Sequence, residues 1–591
     1  EIDVNHERSR RSLVALLEAK GDWEAAVEQR QRLAPLLEGQ TRLEMYVAIG
    51  EACRDRLKDA YQAIDAFAGA ARADPANAGV AEALLALYRE TKQGQKAADL
   101  LERLLERPEV QAEPERAARL HLQRARVLRD EVKDEVAAAA ELEAALERSP
   151  RLAEAFAELE ELLSQGRRWG ELEQAYLKTI QRLPKGPEAA AARVALWKTL
   201  GELYRRVLDD PERARTAYDV VVKADPDDGA ALQVFAELSE RVPGREAEAV
   251  DAWRRLVRLG GAPGKAASAL VKLHVARKRF DEAYAAAQVL AHLAGGATPD
   301  EKAVVERLRR FAREVASQPL DEKGWALLLH ERIRGPVAEI LTLLAREAAG
   351  LFAQSPRSLG LDPKKGEVDL GSQLLFANTY RYVARTLGFQ PPPRLYRVEA
   401  PAGRVALVPT QPPALAAAED LFGEKARKKE LWFSIGRAMA FVRPEFTLSR
   451  LMPHDQLEVV FQAACSLGTS RFVVTAKARD VEQVRQQLAR LLPPDTQARR
   501  LKLLARAYCE VHQTGDVRAY MDAAELTANR VGALLAGDLE VARRMILSEK
   551  AQVSKLREET KMGDLVQFCL SEAWSTLRTQ IGTSVQAGGN P

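Results

Sequence analysis

Along the first 300 residues the apolar positions recur with helical spacing, and one phrase returns again and again: a short polar turn, then a helix opening with charge and small residues. It reads "GDWEAAVEQ", "KDAYQAIDA", "GQKAADLLE", "KDEVAAAAE", "RRWGELEQA", "DPERARTAY", "GREAEAVDA" and "KRFDEAYAA", with starts about 37 residues apart. That period predicts eight helix-turn-helix units stacked as a solenoid, because one such unit cannot bury its apolar face alone. After "AHLAGGATPDEKAVVERL" the phrase stops, and "SQPLDEKGW" reads as the junction. Beyond it, helical patterns over Ala326–Phe352 and Gly371–Gly388 lead to two β-prone runs, "RLYRV" and "RVALV", set among Pro and Gly. Further helices follow to about Leu577, and "TQIGTSVQAGGNP" has the composition of a disordered tail. The expected domains are therefore residues 1–317, 318–577 and a disordered 578–591.

Two units carry the bulky, small and aromatic positions of tetratricopeptide repeats. In one they fall on Trp197, Leu200, Gly201, Tyr204, Ala214, Tyr218 and Pro226; in the other on Tyr46, Ile49, Gly50, Cys53, Ala63, Phe67 and Pro75. Both units have one extra residue between their helices. The array resembles that repeat class, which implies a mostly α, right-handed superhelix whose concave surface takes a peptide or partner helix. On the faces opposite the core the pattern places Arg119, Arg126 and Arg129 in one unit and Lys198, Glu202 and Arg205 in another. These are the groove candidates, suited to an acidic or C-terminal peptide. Gly or Ala in the small positions lets paired helices approach, so the motif residues themselves are core.

The second half holds the more pointed chemistry. A strand pair is followed by "LFGEKARKKELWFSIGRAMAFVRPE" and, much later, by "AELTANRVGALLAGDLEVARRMI". That order and wording resemble the gluzincin metallopeptidases of the HtpX and CAAX-prenyl-protease type. The resemblance implies an α+β zincin-like domain with a small sheet. It also implies an H-E-x-x-H zinc helix and a later helix with E-x-x-x-D. Two His at i and i+4 share a helix face and bind zinc, the Glu between them activates water, and the later Glu completes the ligand set. Here the first His falls on Arg437, the Glu on Ala438 and the second His on Phe441, while Glu525 keeps the third-ligand position and Asn529 replaces the Asp. Arginine stays protonated, alanine takes no proton and phenylalanine offers only carbon. The resemblance thus implies a pseudo-enzyme without metal or cofactor, in which Arg437 pairs with Glu525 where zinc would be and Phe441 fills the second ligand's volume.

Composition changes this picture little. A net charge of +3 on 591 residues, about −4 over 1–320 and about +7 over 321–591, gives no electrostatic case for nucleic acid as a partner. No apolar run is long enough to span a bilayer, so no direct membrane insertion is expected. Four scattered cysteines, Cys53, Cys465, Cys509 and Cys569, have no metal-ligand spacing, and with no signal-peptide pattern they predict a reduced, cytoplasmic protein. The sequence reading is a non-catalytic scaffold binding protein or peptide partners. Two others stay open beside it: an unconventional zinc peptidase with ligands from elsewhere, and a regulatory adaptor of a small GTPase, motility or secretion machine.

Overall fold

The computed structural model describes residues 7–293, 298–362, 366–399, 404–423, 427–469, 472–492, 496–512, 516–549 and 553–585, apart from the side chains of residues 301 and 305. The chain forms two compact units, Glu1–Pro226 and Asp227–Pro591. It is mostly α, with helix pairs of tetratricopeptide type, further helices and one small sheet.

In the first unit the pairs are Glu7–Lys20 with Trp23–Leu33, Gly39–Glu51 with Ala60–Ala73, and Ala78–Glu90 with Gly94–Leu105. They continue with Pro114–Val127 and Glu135–Arg148, Ala153–Gln165 and Trp169–Arg182, and Ala190–Arg206 and Pro211–Ala224. The second unit opens on Gly229–Arg241 with Glu246–Arg258 and Pro263–Ala276 with Phe280–His292. Each recurring phrase of the sequence opens the second helix of one pair.

The turns explain the extra residue. In three pairs the turn closes through a bond spanning six residues: Asp59 N to the Cys53 carbonyl, Asp134 N to Leu128 and Asp210 N to Tyr204. In two of these the first helix widens into a π turn, Ala52–Leu57 and Leu128–Val132. The residue before each Asp, respectively Lys58, Lys133 and Asp209, takes a left-handed conformation. The Asp then caps the next helix, its carboxylate accepting from Gln62, Ala137 or Arg213 N–H. Pairs lacking the insertion close with a five-residue span instead, as from Gln93 N to Tyr88 and from Arg168 N to Leu163. A π turn absorbs the inserted residue without moving the apolar faces out of register.

Packing within a pair depends on the small positions. A Cβ at Gly50 would stand 2.7 Å from the Phe67 ring, and one at Gly201 would stand 2.8 Å from the Tyr218 ring. The Tyr218 hydroxyl also donates to Glu202 at 2.6 Å, and Tyr176 donates to Glu160 at 2.7 Å, the same bond at the same spacing in the preceding pair. Gly201→Val is expected to destabilise the first unit by about 1–3 kcal/mol through overpacking. Gly170→Ala, at a helical glycine with nothing within 4 Å among the described residues, should leave stability unchanged or raise it slightly. Thermal melts of the two variants decide the point; equal effects would remove the packing explanation.

After Pro299–Arg309 the second unit continues through helices Glu322–Leu328, Pro336–Glu347, Ala349–Phe352 and Leu375–Thr386. The helical stretch expected over Ala326–Phe352 is broken because Gly335, at φ 138°, precedes Pro336 at the start of a new helix. The expected strand pair is corrected to three strands: β1 (Leu395–Val398), β2 (Val405–Val408) and β3 (Ala414–Ala418). The sheet order is β1-β3-β2, with β3 parallel to β1, antiparallel to β2, and Leu415 opposite both Leu395 and Leu407. The third strand escapes a propensity reading because "ALAAA" favours helix. In the fold it is a buried central strand whose small side chains suit the packing.

The start of the expected disordered tail is also corrected. Arg578 lies in the last helix, Glu572–Ile581, and Val585 bridges to Ala312. Buried Asp281 accepts from Arg578 Nε at 3.0 Å and from Val585 N–H at 2.8 Å. A polar, Gly-containing composition cannot reveal a partner 297 residues away. Residues 586–591 of that expectation lie outside the described residues.

Candidate functional site

The helix Lys428–Ala440 crosses the helix Arg518–Ala536 at a place where both backbones are bare. A Cβ on Gly436 would stand 2.2 Å from the Leu535 side chain, and one on Gly532 would stand 2.9 Å from the Phe433 carbonyl oxygen. This close approach brings Arg437 to the second helix. Arg437 is buried and its guanidinium forks three ways: Nε donates to Asn529 Oδ1 at 2.9 Å, Nη1 to Glu549 at 3.1 Å and Nη2 to Glu525 at 3.4 Å.

Glu525, 1 % exposed, is saturated by its surroundings. One carboxylate oxygen meets Lys561 Nζ at 2.6 Å, while the other accepts from Val553 and Ser554 N–H, both at 2.7 Å. Burial pushes its pKa up, but Arg437 and Lys561 outweigh burial and hold it below the usual carboxylate range. Phe441 and Ala438 are buried, and the Arg450 guanidinium lies 5.9 Å from the Phe441 ring centre. Burial, followed by repulsion from Arg437, lowers the Arg450 pKa, with Glu549 and Glu525 opposing. Among the described residues, the buried Asn529 Nδ2 has no hydrogen-bond partner.

The geometry expected of Arg437 and Glu525 is present, but the pair is not alone. Lys561 is nearer to Glu525 than Arg437 is, and Glu549 and Arg450 join the cluster. Lys561 had a faint sequence signal, a charge on the apolar stripe that also carries Leu565 and Phe568. Glu549 and Arg450 had none. On the same later helix Arg530 binds Asp564 at 2.9 and 2.5 Å and lies over Phe568, with His330 3.6 Å from that carboxylate.

Zinc does not fit this cluster. Arg437, Ala438 and Phe441 offer a guanidinium, a methyl group and a benzyl group, none of which ligates a metal, and Lys561 Nζ already meets Glu525 at 2.6 Å. Among the described residues no group of three or more His, Cys, Asp or Glu side chains is placed to hold a metal.

The groove candidates lie in the first unit. Arg119 is exposed. Arg126 binds Glu154 and Glu158 on the first helix of the next pair, and Arg129 binds Glu158 at 3.0 Å and Asp130 at 2.8 Å, so these two arginines stitch neighbouring pairs together. Glu202 accepts from Arg205 and Tyr218, and Lys198 is half-buried on the same helix.

No family model and no curated protein matches the chain. Among solved structures it is similar to the C-terminal part of a TPR repeat-containing protein from Cytophaga hutchinsonii (12% identity, covering 50% of this chain and 98% of that one, TM-score 0.23). It is also similar to the TPR2AB domain of yeast Sti1 in complex with an HSP90 peptide (15%, 46% and 99%, TM-score 0.22). A third is a tetratricopeptide repeat protein from Parabacteroides merdae (16%, 45% and 97%, TM-score 0.19). At such scores these likenesses add no weight; the fold assignment rests on the helix pairs themselves.

Proposed function

We propose that this chain is a non-catalytic protein-binding scaffold, in which a tetratricopeptide-type array precedes a degenerate gluzincin-like domain covering roughly residues 318–577. The observation that carries the reading is Arg437. A guanidinium bonded to Glu525 and Asn529 stands where the resemblance puts the first zinc ligand, and its chemistry is stabilising, not hydrolytic. Partners would be protein or peptide segments on the polar faces of the first helices. Exposed Arg119 is the candidate to read them, because Arg126 and Arg129 already hold carboxylates of the chain.

The test is affinity capture with the full chain and with Arg119→Glu. Loss of a captured partner, with unchanged melting, supports the array as the reader. Retention of every partner by Arg119→Glu removes that face from the account. Zinc bound stoichiometrically to the native chain, together with peptide hydrolysis, would replace the scaffold reading by a peptidase.

A further inference from the structure

A groove in the second unit belongs to neither the array nor the Arg437 cluster. It is walled by the helices His454–Gly468 and Ala478–Leu491 and by the short helix Ala349–Phe352, and encloses about 700 Å³. Its floor is apolar. Leu351, Phe352, Met452, Val459 and Val484 line it, and each is only half-buried. Such a volume and lining are what a bound group needs.

One wall is fixed in place. The buried Gln462 side chain accepts from the N–H of Thr475 and of Ala476, at 2.9 and 3.0 Å, and donates to the Thr475 hydroxyl at 2.7 Å. Residues 475–477 are thereby held against the helix. A preformed groove loses little entropy when it is filled.

The rim has a sign. Among the described residues, Asp455, Glu458 and Asp480 border the groove with one cation, Lys477, while His454 lies 3.0 Å from Asp455 and Gln462 donates to Glu458 at 3.0 Å. This acidity lies in the half of the chain that carries an excess of about +7. An anionic partner would meet like charge, and a purely apolar one would leave the rim unused.

We propose that this groove binds a cationic amphipathic helix of a partner protein. Aliphatic side chains of one face of the helix enter between Phe352 and Val484, and its lysines or arginines meet Asp455, Glu458 and Asp480. The site goes beyond the array-based function and does not depend on it, since all of its lining residues lie between Leu351 and Gln487.

The probe is a labelled helical peptide of leucine and lysine with one apolar face, compared with its leucine–glutamate counterpart, titrated by fluorescence anisotropy against the full chain at physiological salt. Saturable binding of the lysine peptide is expected, weakened about tenfold or more for the glutamate peptide and for Asp455→Lys with Asp480→Lys. Both aspartates are exposed but stand in the first turns of their helices, so the double variant should melt somewhat below the native protein while keeping its fold. Val484→Lys, which puts charge on the floor, should weaken binding similarly. No binding, equal binding of both peptides, or binding unchanged in the variants overturns the proposal. So does concentration-dependent self-association of the native chain that the double variant abolishes, which would assign the groove to a second copy.

Discussion

Lys561→Met is expected to destabilise the second unit by about 3–5 kcal/mol, the usual consequence of breaking a buried ion pair from one side. Lys561 Nζ lies 2.6 Å from Glu525, with side chains 2 % and 1 % exposed. Methionine keeps much of the stem volume and removes the charge, so Glu525 is left as an anion held by two backbone N–H groups and a longer bond to Arg437. Adding Glu525→Gln to Lys561→Met should recover most of the loss, because the stranded charge disappears. Arg437→Met should cost less, about 1.5–3 kcal/mol for its charged hydrogen bonds, since Glu525 retains its nearer cation. The acid side follows the same logic. A carboxylate whose folded pKa is depressed adds stability that is present above its unfolded value and lost as pH falls through the folded value. Lys561→Met removes part of that depression, so less of the variant's stability rests on Glu525 ionisation, and its deficit against the native chain should narrow as pH falls. Chemical denaturation from pH 7 to pH 3 measures both effects, and a larger loss for Arg437→Met than for Lys561→Met would reverse the assignment.

Asp281→Ala is the second large effect, again about 3–5 kcal/mol. It strands the Arg578 guanidinium, 3 % exposed, and leaves Val585 N–H without its acceptor. Arg578 retains the Thr583 carbonyl and lies near the Tyr284 and Trp574 rings, neither of which neutralises its charge. Amide exchange should therefore accelerate first in Glu572–Ile581 and at Val585. Asp281→Leu combined with Arg578→Leu should be milder than Asp281→Ala. Unchanged exchange at Val585 in Asp281→Ala would show that the pair does not hold the end of the chain.

The repeats were legible because they are local. Each phrase marks the start of a second helix, four of them capped by an Asp side chain, and Gly50 with Phe67, or Gly201 with Tyr218, lies within one unit of sequence. Arg437 and Glu525 could be brought together on paper only through a resemblance that aligned two distant helices. Lys561, Glu549 and Arg450 enter the cluster from other elements, and nothing in their own neighbourhoods announces a partner. Asp281 and Arg578 make the same point at greater range. The third strand was hidden for a different reason: alanine's intrinsic preference for helix was overridden by burial between two strands.

The proposed scaffold reading holds that Arg437 and Lys561 stand where the resemblance to gluzincins would put a metal, beside Glu525. The most direct measurement is the zinc stoichiometry of a chain carrying Arg437→His, Ala438→Glu, Phe441→His and Lys561→Met, which rebuilds the paired His, restores the base and frees Glu525 to act as third ligand. One zinc per folded chain, lost on further Glu525→Gln, is the result the account predicts; a folded variant that binds no zinc, or whose zinc is indifferent to Glu525, would contradict it.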